Sequence, residues 1–251
     1  MRDYPHQPSE KVLVRNRDAF LEIFKPDGAP VGSSAATEPE PFWTGNAENG
    51  RFCAAYLYAL EAPLETVRYY FGLSNASFST GMVRRAPFDL DAVMQQLASA
   101  VIVKDADLAT KLCMLPAERY QIEDVEFLPS TTREFDVWKA IVLGSRDAAA
   151  QSLQCAATRL AAGRIPRAFH DDSETMIALM NAVLTGDVAA LDAALTRRAK
   201  VIASNFKSPS LRQNPASLLD LRGLAIAAIG IRMGVVPTTG SVYHPLDLVV
   251  K

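Results

Sequence analysis

Histidine is scarce in this chain. His6, His170 and His244 are the three in 251 residues, too few and too scattered for the multi-histidine clusters of metal phosphohydrolase chemistry. Cysteine is as rare: Cys53, Cys113 and Cys155 are odd in number, lie in apolar helical settings and form no Cys-x-x-Cys pair. They read as buried thiols of a reducing compartment, not as a disulfide framework. No glycine-rich phosphate loop ending in Lys-Ser or Lys-Thr and no nucleophile elbow is present. The longest apolar run, "LAIAAIGI" at 224–231, is flanked by Arg222 and Arg232 and is far too short to span a bilayer. The opening "MRDYPHQPSEK" has no hydrophobic signal core, so a soluble, cytoplasmic protein is expected. An excess of one charge is missing too: 26 Lys and Arg face 28 Asp and Glu, which argues against general nucleic-acid binding.

What the chain does have is helical periodicity. In "LMNAVLTGDVAALDAAL", Met176, Leu179, Met180, Val183 and Leu184 recur at three- and four-residue steps and line one helix face. Gly186 stands where that helix must end, because glycine enters the left-handed conformation without a Cβ clash. Asp187 follows as an N-cap, and Val188, Leu191, Leu195, Ala199 and Ile202 form the next stripe. Helices joined by so short a turn fold back antiparallel. The same grammar surrounds Gly144 in "AIVLGSRDAAAQSL", either as an internal repeat or as an accidental likeness of two hairpins.

Along the chain, a first helix is expected near Ser9, and the Pro- and Gly-rich stretch 25–46 reads as a loop. "GRFCAAYLYALEA" reads as a helix, Pro63 as the first position of a helix through Tyr70, and 72–81 as a polar turn region. Asp89 or Asp91 caps a helix carrying Leu90, Val93, Met94, Leu97 and Val101, and Pro116 ends the one after it. "QIEDVEFLPS" is a short strand or an acidic connection. Further helices are expected at 134–143, 146–162, 173–185, 187–204 and 216–233. The predicted fold is all-α, with antiparallel helical hairpins stacked into a single bundle or repeat-like array. Residues 1–87 would form N-terminal helices and a long loop packed on a helical-hairpin domain at 88–251.

Candidate chemistry is thin. His170-Asp171-Asp172 reads as a helix entrance, with Asp172 or Ser173 as cap and Glu174 favouring the dipole, rather than as a metal site. Tyr56, Tyr58, Tyr69, Tyr70 and Phe71 read as core. Phe42 and Trp43, in the Pro-rich loop, either tuck back onto the helices or touch a partner. Glu123, Asp124 and Glu126, with Asp171, Asp172 and Glu174, read as solvated faces that would meet a partner if that partner is basic. No catalytic residue, cofactor or metal is expected, and helices stacked without a site point to a binding surface.

Two stretches carry a family likeness. "LASAVIVKDADLATKLCMLP" is a helix of small and aliphatic residues, then Lys-Asp, then a helix closing on Leu-Cys-x-Leu-Pro. "SLLDLRGLAIAAIGIRMGVVPTTGSVYHPLDLV" is an Ala-Ile helix ending in Met-Gly, followed by Ser-x-Tyr-x-Pro. In this order, with a Gly-Asp hairpin between, residues 88–250 resemble the immunity protein 49 family of bacterial polymorphic-toxin systems. Lys104 replaces the arginine usual before the Asp, and Val242 and His244 flank Tyr243 where acidic and leucine residues are common. The resemblance implies an all-helical protein that protects its producer by binding a cognate toxin or effector domain. It supplies no catalytic residues. Asp105, Gly234, Tyr243 and Pro245 match recurrent positions, as a cap, a helix stop, a buried ring and a turn. The leading expectation is an antitoxin without nucleic-acid or membrane partners, whose toxin acts in the cytoplasm on nucleic acid or a nucleotide cofactor. A helical-repeat scaffold without a toxin is the alternative, and an enzyme with an unrecognised helical site is the third reading.

Overall fold

The computed structural model describes residues 1–24, 40–82, 88–121, 128–165, 167–208, 210–212 and 214–250. Their helices are α1 (Glu10–Ile23), α2 (Glu40–Ala59), α3 (Leu64–Met82), α4 (Leu90–Ile102), α5 (Ala106–Cys113), α6 (Leu128–Val142), α7 (Arg146–Ala161), α8 (Arg167–Thr185), α9 (Val188–Asn205), α10 (Leu221–Arg232) and α11 (Asp247–Val250). Strand structure is slight: β1 (Phe88–Asp89) pairs parallel with β2 (Tyr120–Gln121) over two residues. The chain is all-α, as expected.

Its hairpins share one turn. Gly186 has φ +76°; its amide bonds Val183 O at 3.3 Å, and the Asp187 amide reaches back to Ala182 O at 3.0 Å. This pair of bonds is the Schellman ending, which satisfies carbonyls that the helix leaves open. The Asp187 carboxylate then accepts from the Ala190 amide at 2.9 Å and starts α9. The α6–α7 turn repeats the geometry at Gly144 (φ +77°), and the α4–α5 turn repeats it at Lys104 (φ +62°) with Asp105 as cap. Helices α4, α6, α8 and α10 pack on one another, with α5, α7 and α9 outside them. Arg146, at the start of α7, donates two bonds to Leu184 O at the end of α8, and Arg232, ending α10, donates to Val101 O near the end of α4. The C-terminal ends of the inner helices therefore gather at one end of the stack.

Three expectations about the elements are corrected. The loop does not extend to residue 46, because α2 begins at Glu40. Residues 72–81 are not a turn but the second half of α3. There the small polar residues serve the close approach of α2 and α3: a Cβ added to Gly50 would stand 3.0 Å from Ser74 Cβ. Ser74 Oγ donates to Ala47 O, and Ser77 Oγ donates to Trp43 O. Finally, α8 starts at Arg167, so His170, Asp171 and Asp172 lie inside the helix rather than at its entrance. One continuous core runs from Tyr4 to Val249. Cys53 and Cys113 are buried in it and their thiols are pushed up to about 12 by burial, whereas Cys155, expected inside, is exposed. Tyr56, Tyr58 and Phe71 are core as expected, but Tyr69 is half exposed.

Candidate functional site

The residues singled out from sequence meet different fates. Glu123, Asp124 and Glu126 lie outside the described residues. Phe42 falls in α2 with its side chain outside the description, while Trp43, on the same helix, is 2 % exposed and is not on a loop. The acids of α8 do not form one open face. Asp171 is exposed, with His170 Nδ1 at 4.0 Å, and its charge also acts on Arg197. Glu174 takes both donors of Arg197, at 2.9 and 2.5 Å, and this pair holds its carboxyl below the usual range. Asp172 turns inward.

Asp172 belongs to a buried chain of charges that ties five segments together. On α9, Arg198 donates Nη1 to Asp172 Oδ1 at 2.9 Å and Nη2 to Asp220 Oδ1 at 3.0 Å, and its Nε also bonds Asp220. On α10, Arg222 bonds Glu134 of α6 through two donors and reaches Asp172 Oδ2 at 3.3 Å. His244, fully buried just before α11, places Nε2 at 2.8 Å from Asp220 Oδ2 and Nδ1 at 3.0 Å from Ser241 Oγ. Burial alone would raise the Asp220 carboxyl, but the Arg198 charge and the His244 bond reverse this and hold it well below the carboxylate range. At Glu134 burial wins over Arg222, and its carboxyl is raised. Such chains are satisfied inside and costly to break.

The Asp220–His244–Ser241 order resembles a nucleophilic relay, so its chemistry needs testing. Asp220 can only accept, which places a proton on His244 Nε2. Ser241 Oγ already accepts from the amides of Tyr243 (3.3 Å) and His244 (3.2 Å), so its own hydrogen points to Nδ1. The serine oxygen is thus occupied by its own turn, and the opposite end of the relay is neutralised by Arg198. The arrangement clasps the C-terminal turn to α10 and does not present a nucleophile.

A metal reading fares no better. His170, Asp171 and Glu174 bring ligand atoms within 4.8 Å of one another, yet Glu174 is already neutralised by Arg197. A cation there would have to displace a bidentate guanidinium. Glu174 also borders a trench between α7 and α8 of about 540 Å³, floored by Leu153, Ala157, Ile177 and Ala178.

The immunity protein 49 family model matches residues 46–248. The chain belongs to the immunity protein 49 family. The match reaches upstream of residue 88 to take in most of α2 and all of α3. No curated protein and no solved structure matches the chain. In this immunity protein the four positions shared with the family pattern are structural. Asp105 caps α5. Gly234 ends α10 at φ +83°, and Tyr243 is buried against Tyr4 with ring centres 5.7 Å apart. The Pro245 carbonyl accepts from the Leu248 amide as α11 begins. Sequence reasoning missed Glu134, Arg198, Asp220, Arg222 and Gly223. A signal was present in "DLRGLAIAAIG", where two charges and a glycine stand against a helix otherwise apolar on all sides.

Proposed function

We propose that this chain is an antitoxin: it binds a cognate toxin domain as a stoichiometric protein complex and blocks it without chemistry. Family membership across residues 46–248 carries the reading. It is supported by the two clusters most like active sites: Asp220, His244 and Ser241 are spent on the fold, and Glu174 of the other is held by Arg197. No described helix is long and apolar enough to cross a membrane, and the complex is expected to form in the cytoplasm. A toxin that acts on nucleic acid needs a basic cleft to neutralise phosphates. Exposed carboxylates, Asp171 among them and Glu123, Asp124 and Glu126 as further candidates, would then speed association.

The test is to search the genes beside this one for a toxin domain, to express it with and without the chain, and to isolate the pair. Rescue of growth with a complex of fixed stoichiometry is expected, and His170→Ala protects as well as the parent. Toxicity that persists beside the folded chain overturns the reading. The recurring hairpins then favour a helical-repeat scaffold.

A further inference from the structure

Where the inner helices finish, α4, α6, α8 and α10 each close on a residue of positive φ. Three of these are glycines, Gly144 (+77°), Gly186 (+76°) and Gly234 (+83°), and one is Lys104 (+62°). All make the same pair of backward amide bonds, so the turn itself asks for glycine. A lysine there holds its Cβ close to the carbonyl that follows, a cost that glycine avoids. Strain of this kind gathers at functional positions.

The fold makes no use of the Lys104 side chain. It is exposed, and its ammonium has no ion pair or hydrogen bond among the described residues. The carboxylates next to it in sequence are turned elsewhere: Asp105 accepts from the Leu108 amide and from Asn75, and Asp107 holds Lys111. A cation near a helix C-terminus gains from the dipole, but Arg232 already fills that role. It donates to Val101 O, the same carbonyl that takes the Lys104 amide. Glu61 shares the φ of +62°, yet its carboxylate pairs with the Met1 amine. Arg232 has no ion pair either among the described residues, so two cations without a carboxylate start from one carbonyl. Met233 and Val236, just beyond Arg232, are 40 % and 50 % exposed. Uncovered apolar side chains beside unpaired cations fit a protein surface that brings a carboxylate.

We propose that the α4–α5 turn is a contact of the toxin and that Lys104 binds a carboxylate on the toxin surface. The proposal rests on the antitoxin reading and names one point at which the toxin is held. A contact opposite in sign to the acidic candidates also fixes the orientation of the complex. Two variants test it against the purified toxin domain found beside the gene. Lys104→Gly removes the side chain and the strain together. It should melt at or above the parent, yet bind at least about tenfold more weakly. Lys104→Arg keeps both the charge and the strain, and should bind as the parent does.

If Lys104→Gly binds as the parent does, Lys104 is not a contact, while the parent's own complex leaves the antitoxin reading standing. A Lys104→Gly variant that melts below the parent shows that the fold uses the side chain, and this too overturns the proposal. Binding by Lys104→Arg as weak as that of Lys104→Gly overturns the carboxylate as the group it meets. A parent that forms no complex with the toxin overturns the proposal and the reading together.

Discussion

At the scale of single residues, Gly223 decides the most. Glycine inside a helix ordinarily costs about 1 kcal/mol against alanine, so Gly223→Ala would stabilise an unconstrained α10. Here the added Cβ would stand 2.2 Å from Asp220 Oδ2, 2.8 Å from His244 Nε2 and 3.0 Å from Arg198 Nε. The substitution must dislodge three members of a buried charge chain, and a net loss of roughly 2 kcal/mol or more is expected. A urea midpoint equal to or above the parent's would show that the chain yields cheaply. Asp220 carries the pH dependence of the same chain. Its carboxyl is depressed in the fold, so the stability it adds is full above the unfolded value near 3.8 and is lost as pH falls below it. Glu134 is raised in the fold and works in the opposite sense, most strongly above its ordinary range. Asp220→Asn should therefore unfold more easily at neutral pH, by about 3 kcal/mol. It should also lose less stability than the parent between neutral and acid pH. Parallel acid limbs for the two proteins would remove Asp220 from that role.

At the scale of elements, the hairpins were legible because their instructions are local. Gly186 and Asp187 state a helix end and a helix start in adjacent residues, and the φ of +76° with the Ala190 bond realise both. What misled were residues whose purpose lies elsewhere in the chain. Ser74, Asn75 and Ser77 carry turn chemistry, yet they sit mid-helix because Trp43, Ala47, Gln96 and Ser99 receive or complete their bonds. The α8 start was placed late for a similar reason. Asp172 reads as a cap until Arg198 and Arg222, both distant in sequence, claim it. Of the charge chain only the lone charges and glycine of "DLRG" were legible and the pairing was not, since none of its bonds except Ser241 to His244 is local. The turns also make a paired prediction. Gly186→Val should cost about 1 kcal/mol or more, because a β-branched residue resists positive φ. Lys104 already bears that strain at φ +62°, so Lys104→Gly should gain about 0.5 kcal/mol, the relief being partly offset by glycine's unfolded-state entropy. Melting both variants checks the pair, and equal shifts of the same sign would deny the shared turn geometry.

At the scale of the whole molecule, the question is whether residues 88–251 would stand as a domain of their own. The contacts across residue 87 are of the kind that cannot be left open. Gln96 and Ser99 on α4 are fully buried and bonded to Arg51, Ser74 and Asn75 of α2 and α3. Arg51 is itself buried, and desolvation lowers it to about 10. Tyr4 donates to Leu218 O, Tyr58 to Val242 O, and Arg68 to the carbonyls of Asp247 and Leu248. The N-terminal helices therefore cover α4 and also hold the C-terminal turn in which His244 sits. Removing them would uncover the face of α4 that carries Gln96 and Ser99 and orphan these two buried polar side chains, each at about 1–3 kcal/mol. Against a total stability of about 5–15 kcal/mol, that is enough to lose fixed packing. A fragment beginning at Phe88 should keep much of its helical far-ultraviolet signal, because its hairpin turns are local. It should lose near-ultraviolet dichroism from Trp138, melt without cooperativity and bind a hydrophobic dye, while the full chain melts in one transition. A fragment with a sharp melt and the parent's aromatic signal would establish residues 88–251 as an independent domain, with α1–α3 as an addition to it.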